Sequence, residues 1–275
     1  MKPEPKQTSA FIQFVGLEKS FGEKKIYKGV DLAIEKGETL TVLGGSGTGK
    51  TVMLKMLLGL MHPDAGQIFF DGKDVVGMDK EAILQVRRRV GMLFQGGALF
   101  DSISVGENVA YPIREHFRHT EEEISRIVAE KLELVGLPGI EEMSCNDLSG
   151  GMKKRVSLAR AIATNPEVIL YDEPTTGLDP TNTRRIDNVI RDLQAKLAVT
   201  SIVVTHDIQS AFFISDRLAL LYEGKIKFVG TENEVKNSDD PVVQGFIKGD
   251  MEDVETPKFS ARVPRQTKVS KHATT

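Results

Sequence analysis

Two nearly continuous apolar runs predict buried strands of a parallel sheet. They are VILYDE at 168–173 and TSIVVTH at 200–206, and a segment with helical spacing from Thr181 to about Leu197 separates them. Strands that are covered on both faces show such continuous runs instead of alternation. The pattern therefore predicts an α/β fold with a mostly parallel sheet.

Three shorter apolar runs precede this region, at 11–15, 31–34 and 39–43. Gly and charged residues separate them, which predicts an antiparallel β edge that leads into a central strand. Asp-Gly at 71–72 and Glu-Gly at 223–224 are typical of tight hairpin turns.

Helical spacing begins after the third run. Apolar residues recur at Met53, Met56, Leu57 and Leu60, which predicts a helix with one buried face. Residues 105–163 are predominantly helical in pattern, and we expect Thr120, which precedes three glutamates, to cap a helix there.

Composition limits the classes of partner. The chain has 275 residues, of which 36 are basic and 39 acidic, and its net charge is −3, so no overall positive field indicates a nucleic-acid partner. The single cysteine, Cys145, cannot form an internal disulfide and fits a reducing compartment. No run approaches the roughly 18–20 apolar residues that span a bilayer, so we expect any membrane role to come through a partner chain.

The two ends differ in composition from the middle. Residues 1–9 are polar with two prolines and are predicted to be a flexible tail, while 10–247 are predicted to form the folded domain. Residues 248–275 are predicted to be a basic, extended tail, because five Lys or Arg and no acid follow Pro257. This tail either clasps another protomer, contacts anionic lipid headgroups or is simply solvated.

A glycine-rich loop joins the run at 39–43 to the first helix. Gly44, Gly45, Ser46, Gly47, Thr48, Gly49, Lys50 and Thr51 match G-x-x-x-x-G-K-[ST] between a strand and a helix. Such loops point backbone N–H groups at phosphate oxygens, the lysine adds a charge near the β and γ phosphates, and the hydroxyl can bind Mg²⁺. The loop predicts a nucleotide site.

Two carboxylates end the strand at 168–173. A carboxylate after a buried strand is costly unless it meets a cation, and Mg²⁺ bound with Thr51 would give Asp172 one. Glu173 is a candidate to polarise an attacking water. The alternative is that both residues only cap the strand or the next turn.

Three further residues are candidates with open alternatives. Gln95 follows the run at 90–94 and could reach Mg²⁺ or water, although polar residues at strand ends are common. His206 ends the strand next to Glu173, at the sheet edge where ligands bind in such folds, or it is a structural histidine. Phe21, placed in a loop between the first two strands, either stacks on a purine or packs in the core.

A second anion-binding pattern lies at Ser149, Gly150 and Gly151. These residues precede a helical pattern, so they would present N–H donors and a hydroxyl at a helix N-terminus. Bringing both patterns of one chain onto one nucleotide is difficult if the helical segment is a separate lobe, whereas a two-fold pair of chains satisfies both twice. The alternative is that Ser149 only caps a helix.

Taken in order, these motifs resemble the nucleotide-binding subunit of ATP-binding cassette (ABC) transporters over about residues 10–235. The motifs are 44–51, Gln95, LSGGM at 148–152, 168–173, GLD at 177–179 and His206. The resemblance implies a P-loop NTPase fold with a RecA-like core and a helical subdomain inserted at about 97–163.

The resemblance also implies a role for each site residue. ATP would stack on Phe21, Glu173 would be the catalytic base, and Lys50 and His206 would contact the γ-phosphate. Mg²⁺ would be held by Thr51, Gln95 and Asp172. Ser149, Gly150 and Gly151 would contact the nucleotide of the other protomer in a homodimer, and Asp179 would communicate across it.

The resemblance to one subfamily depends on a residue that differs from the usual family motif. The fifth position of the LSGGM motif is Met152 where the family usually has Gln. With the segments 94–116 and 169–180, it resembles the ATPases of bacterial lipid transporters of the Mla (MCE-associated) type. A membrane permease would dock near residues 95–107, where Leu99 and Phe100 are expected to be exposed, although ordinary packing explains them equally well.

These expectations combine into one function. The chain is expected to bind and hydrolyse ATP and to energise a permease that moves phospholipids, at the cytoplasmic face of a bacterial inner membrane, with a small cytoplasmic accessory subunit as a further partner. An amino-acid or metal importer shares the same motifs. A soluble ABC ATPase would need a coiled coil, a zinc hook or a second cassette, and only about fifty residues separate Gln95 from Ser149.

Overall fold

The computed structural model describes residues 10–249, which form two sheets and two groups of helices. The six-stranded sheet has the order β10-β9-β3-β8-β7-β6 and the four-stranded sheet the order β2-β1-β4-β5. The strands are β1 (Ile12–Phe21), β2 (Lys24–Ile34), β3 (Thr39–Leu43), β4 (Ala65–Phe70), β5 (Lys73–Asp74), β6 (Val90–Leu93), β7 (Val168–Asp172), β8 (Thr200–Thr205), β9 (Arg217–Tyr222) and β10 (Lys225–Gly230).

Nine α-helices connect or follow the strands in the described part of the chain. They are α1 (Lys50–Leu57), α2 (Lys80–Arg88), α3 (Val105–His116), α4 (Glu121–Leu134), α5 (Gly150–Ile162), α6 (Pro180–Leu197), α7 (Ile208–Ile214), α8 (Glu232–Lys236) and α9 (Pro241–Lys248), with a 3-10 turn at Cys145–Asp147. No helix within this part of the chain is long and apolar enough to cross a membrane.

The mostly parallel sheet is confirmed. Strand β3 pairs in parallel with β8 and β9, and β7 pairs in parallel with β6 and β8, whereas only β9 and β10 pair antiparallel among the described strands of this sheet. Every residue of β7 and β8 is buried, as their continuous apolar runs predict. The α/β fold is confirmed with it.

The first two strands form a longer hairpin than the sequence predicts. They pair antiparallel from Ile12 with Ile34 to Phe21 with Lys24, so the predicted loop between them is a tight turn. Phe21 is therefore the last residue of β1 and not a loop residue. The backbone bulges along β1 let the hairpin twist while it keeps its hydrophobic face on α1.

The first helix ends earlier than its apolar spacing predicts. It ends at Leu57, and Leu60, expected on its buried face, is 54% exposed. Gly59 adopts a φ of 61° just beyond the end and reverses the chain direction, which turns Leu60 towards solvent.

Helices α3, α4 and α5 pack together on one side of β6 and β7 and share a hydrophobic core. Thr120 caps α4, accepting from the Glu123 N–H while Glu123 accepts from the Thr120 N–H, as expected. Residues 1–9 and 250–275 lie outside the described residues, so the flexible N-terminal tail and the basic tail at 248–275 remain predictions. The limits 10–247 and 97–163 also remain predictions.

Candidate functional site

The loop between β3 and α1 folds around its own lysine. Lys50 Nζ donates to the carbonyl oxygens of Gly44 at 2.7 Å and Gly45 at 3.0 Å. The same nitrogen lies 3.5 Å from Glu173 Oε1. Burial lowers the pKa of Lys50, and the carboxylate of Glu173 opposes that shift. A largely buried cation thus lies at a helix N-terminus, where backbone N–H groups already favour an anion.

The end of this loop is held by the antiparallel sheet. Tyr27 Oη of β2 donates to the Gly49 carbonyl at 2.6 Å. Gly49 has a φ of 105°, and a Cβ there would lie 2.3 Å from Ile26 Cγ2. No residue with a side chain fits this position without displacing β2. The sequence offers no signal for Tyr27, because its contact joins a strand of the antiparallel sheet to the loop that follows a strand of the other sheet.

A hydroxyl and a carboxylate meet beside the loop. Thr51 Oγ1 donates to Asp172 Oδ1 at 2.7 Å. Burial raises the pKa of Asp172, and the hydrogen bond from Thr51 opposes the shift. A buried carboxylate with a raised pKa favours a nearby cation.

The side-chain oxygen atoms of Thr51 and Asp172 are of the kind that Mg²⁺ prefers as ligands. Mg²⁺ in nucleotide sites is usually held by one or two carboxylates together with substrate phosphates, not by a full protein cage. Correspondingly, no group of three or more His, Cys, Asp or Glu side chains between residues 10 and 249 is placed to hold a metal. Thr51 and Asp172 would supply oxygen ligands to such a partial site.

Glu173 occupies an unusual backbone position at the end of β7. Its φ is 48°, in the left-handed region that a residue with a side chain rarely adopts. Its N–H donates to the Val204 carbonyl at 2.9 Å, which continues the sheet ladder by one residue. The carboxylate is therefore turned out of the strand direction and towards Lys50.

Three side chains converge on Oε2 of this carboxylate. His206 Nδ1 lies at 2.9 Å, and the hydroxyls of Thr176 and Thr205 donate at 3.1 and 3.3 Å. Burial alone would raise the pKa of Glu173, but the hydrogen bond with His206 and the charge of Lys50 lower it below its ordinary value. The carboxylate is consequently ionised at neutral pH and can accept a proton.

Gln95 and Phe21 are both exposed, at or just beyond the ends of strands. Gln95 is exposed two residues beyond the end of β6, and its carbonyl accepts a hydrogen bond from Lys154. Phe21 is 46% exposed at the end of β1, with Lys19 Nζ 5.6 Å from its ring centre. An exposed ring is available for stacking and is not a core residue.

The second anion-binding pattern lies at the N-terminus of α5. Ser149 caps this helix, and its Oγ accepts from the Met152 N–H at 3.3 Å. Ser149 and Gly150 are exposed, whereas Gly151 is buried. A Cβ on Gly151 would lie 2.8 Å from Asn182 Oδ1, at the start of α6. The alternative to anion binding, a simple helix cap, describes the local hydrogen bonds but leaves the exposed Gly150 unexplained.

Asp179 caps the neighbouring helix α6. Its Oδ1 accepts from the N–H groups of Thr181 at 2.9 Å and Asn182 at 3.0 Å. Because Asn182 also contacts Gly151, the two helix N-termini are packed together. Asp179 and Ser149 therefore lie on one exposed side of the chain.

The segment at 95–107 has a smaller apolar surface than expected. Phe100 is 45% exposed and stacks against Tyr111 with a centroid distance of 5.1 Å. Leu99, in contrast, packs partly buried against the core of α3–α5. The expectation that both are exposed is wrong for Leu99, because the loop folds back onto α5.

One buried residue near the site was missed by the sequence analysis. Lys154 of α5 donates to the carbonyls of Gln95 and of Glu173, the second at 3.3 Å, and is 6% exposed. In the sequence it is one of several basic residues in MKKRVSLARAIA. Its register with the buried positions Gly151 and Leu158 was the available signal.

Comparison with known proteins accords with this geometry. The sequence model described as "ABC transporter" matches residues 27–176, which is more than half of the chain. The intermembrane phospholipid transport system ATP-binding protein MlaF of Haemophilus influenzae is 42% identical over 241 residues, covering 88% of this chain and 91% of that protein. The probable ribonucleotide transport ATP-binding protein mkl of Mycobacterium leprae is 42% identical, covering 86% of this chain and 69% of that protein.

A solved structure extends the likeness to three dimensions. It is a dimeric ATP-binding cassette in a post-hydrolysis state bound to ADP and Pi, with a TM-score of 0.73 and 31% identity, covering 80% of this chain and 98% of that chain. Family model, relatives and structure agree. The chain therefore belongs to the ABC transporter family and is one of its ATP-hydrolysing cassettes.

Proposed function

We propose that this chain hydrolyses ATP at sites shared between two copies of itself, and that Glu173 is the catalytic base. One observation carries the proposal: the Glu173 carboxylate lies between Lys50 at 3.5 Å and His206 at 2.9 Å, at the mouth of the glycine-rich loop. A carboxylate for water, a cation for phosphate and a histidine thus meet at one sheet edge.

The loop residues bind the phosphates of ATP. The N–H groups of 44–51 and the N-terminus of α1 attract the phosphate oxygens, and Lys50 exchanges its carbonyl partners for them. Phe21 offers its exposed ring to the adenine. Thr51, Asp172 and Gln95 would hold Mg²⁺, which when bound would neutralise charge on the phosphate oxygens.

Glu173 then acts on water. The ionised carboxylate accepts a proton as the water oxygen forms a bond to the γ-phosphorus, while the bond from that phosphorus to the bridging oxygen breaks and ADP leaves with the electron pair. His206 forms a hydrogen bond with the carboxylate through Nδ1 and would lie beside the released phosphate. Lys50 stabilises the charge that develops on the phosphoryl oxygens.

The second half of each site comes from the other copy. Ser149 and Gly150 are exposed, while Lys50 and Glu173 are buried, which fits a donor surface that faces a neighbouring chain. A two-fold dimer places each Ser149-Gly150-Gly151 on the nucleotide of its partner. That a solved relative is a dimeric cassette supports this arrangement. Asp179, packed beside the same helix start, would communicate across the interface.

We infer that ATP hydrolysis by this chain drives transport by a membrane partner. We infer that a permease docks near residues 95–107, where Phe100 is exposed and packs against the exposed ring of Tyr111 in α3. The similarity to MlaF over nearly the whole chain, together with Met152, supports phospholipids as the cargo, moved between bacterial membranes. The chain would then lie on the cytoplasmic face of the inner membrane, and a small cytoplasmic subunit could complete the complex.

Purification from membranes tests the cargo and the partners together. The tagged chain would be isolated in mild detergent, and bound chains and lipids would be identified by mass spectrometry. We expect a permease chain and phospholipid in excess over a preparation of the same membranes without the tag. Because the mkl relative is named for ribonucleotide transport, recovery of ribonucleotides, amino acids or metal ions without phospholipid would contradict the lipid proposal.

A further inference from the structure

Helix α5 holds the backbone of the loop that follows β6. Arg160 donates to the carbonyls of Gly97 at 3.0 Å and Ala98 at 2.9 Å, and Lys154 donates to the carbonyl of Gln95. Between them, Ser157 Oγ lies so close that a Cβ on Gly97 would be 2.9 Å away. These α5 residues, spaced three apart, follow one ridge of the helix, so the loop moves with α5.

Lys154 also binds the end of β7. Its Nζ donates to the Glu173 carbonyl at 3.3 Å. The N–H of Glu173 is held by Val204, so the two peptide groups that flank its left-handed φ of 48° are each fixed by a hydrogen bond. The direction of the Glu173 carboxylate depends on that backbone conformation.

Stability alone does not explain a lysine at this position. Lys154 is 6% exposed, and its hydrogen bonds are to carbonyl oxygens; among the described residues it forms no ion pair with a carboxylate. Burial lowers the pKa of Lys154, which the more distant charges of Asp172 and Glu173 oppose. Burial of an ammonium in this way opposes folding, and an apolar side chain of similar length would fill the same space without that cost.

The position of Lys154 along α5 suggests what offsets this cost. Ser149, five residues earlier, caps the helix, and both Ser149 and the first helical residue, Gly150, are exposed. A displacement of the helix start would therefore be transmitted through Lys154 to the carbonyls of Gln95 and Glu173.

We propose that Lys154 is a positioning residue that links the Ser149 end of α5 to the backbone of Glu173 and Gln95. The link rests on the proposed two-chain function, in which Ser149 contacts the nucleotide bound to the partner and Glu173 acts on the nucleotide bound to its own chain. Contact between Ser149 and the partner's nucleotide then fixes the orientation of the Glu173 carboxylate in the same chain as Ser149. The two sites of the dimer therefore act together.

Three variants of the full-length chain test this link. Lys154→Met removes the donors, Lys154→Arg restores charged donors, and Lys153→Met removes the neighbouring charge on the same helix as a matched control. Steady-state hydrolysis over a range of ATP concentrations would be measured, together with the affinity for a fluorescent ATP analogue and the thermal unfolding of each variant.

We expect Lys154→Met to lower kcat at least tenfold and to bring the Hill coefficient to about one, while nucleotide affinity changes less than threefold. Lys154→Arg should recover most of the loss, and Lys153→Met should behave as wild type. If Lys154→Met fails to fold, Lys154→Gln is judged by the same criteria, since it keeps a donor and loses only the charge.

Unchanged kcat and Hill coefficient in a folded Lys154→Met protein would overturn the proposal. Equal losses of kcat and nucleotide affinity without recovery in Lys154→Arg would also overturn it, because they indicate general damage to the site. Failure of the proposed function gives a different result, namely full hydrolysis in Glu173→Gln with Lys154 intact.

Discussion

His206 Nδ1 lies 2.9 Å from Glu173 Oε2, although 33 residues separate them in the chain. Adjacent parallel strands β7 and β8 end side by side, and this brings both residues to the same edge of the sheet. The histidine is 61% exposed and the glutamate only 11% exposed at their side chains. The pair thus joins a buried carboxylate to a group that an incoming phosphate can reach.

Replacing Glu173 by Gln should stop turnover without preventing binding. The amide retains the size of the side chain and can still bond His206, but it cannot accept a proton from water, so kcat should fall by roughly 10² or more. ATP affinity should stay within about threefold of wild type. Phosphate release and equilibrium binding of a nucleotide analogue measure the two effects, and wild-type hydrolysis in the variant would remove Glu173 as the base.

A mixed dimer distinguishes shared sites from sites within one chain. Ser149→Arg in one protomer puts a long cation at the exposed cap of α5, and it should disable the site that contains Lys50 of the other protomer. Differently tagged chains, with Lys50→Ala as a second marker, allow each site to be inactivated separately. Inactivation that followed Lys50 of the same chain as Ser149→Arg would show that the composite site is wrong.

Two glycines of the phosphate-binding loop provide a matched pair for stability. Both Gly47 and Gly49 have positive φ, at 72° and 105°, but only at Gly49 would a Cβ meet another group closely, 2.3 Å from Ile26 Cγ2. Gly49→Ala should therefore lower the free energy of unfolding by about 1–3 kcal/mol more than Gly47→Ala. Urea unfolding measures the difference, and equal costs would mean that β2 yields to the added methyl.

The ionisation of Asp187 should make stability depend on pH. Burial raises the pKa of Asp187 to about 6, with the hydrogen bond from Ser210 opposing the shift. Because the folded-state value exceeds the unfolded value of about 4, the carboxyl stabilises the fold when protonated. That contribution declines as pH rises through the interval between these two values and is lost above the folded-state pKa.

Asp187→Asn removes this dependence. The variant should gain up to about 2 kcal/mol in free energy of unfolding relative to wild type between pH 4.5 and pH 8. Asp192→Asn, which alters an exposed carboxylate on the same helix, is the control. Unfolding curves at both pH values measure the change, and a pH-independent difference for Asp187→Asn would contradict the buried-carboxyl account.

Local sequence patterns predicted the strands that carry the site but not their exact limits. The runs at 168–173 and 200–206 predicted strands covered on both faces, and every residue of β7 and β8 is buried. Phe21 was placed in a loop because the bulges of β1 interrupt its alternation and hide the length of the hairpin. Leu60 was placed on a buried face because spacing does not show that α1 ends at Leu57.

Local sequence patterns were enough to predict the chemistry of the site: a glycine-rich loop suited to an anion, a lysine and threonine at a helix start, and carboxylates at the end of a buried strand. These follow from local backbone geometry and from the cost of burying charge. The contacts between groups distant in the chain follow from the tertiary structure. Tyr27 supports Gly49 from a strand of the other sheet, and Lys154 of α5 reaches the carbonyl of Glu173 at the end of β7. Such contacts depend on the packing of whole elements, which short-range patterns do not encode.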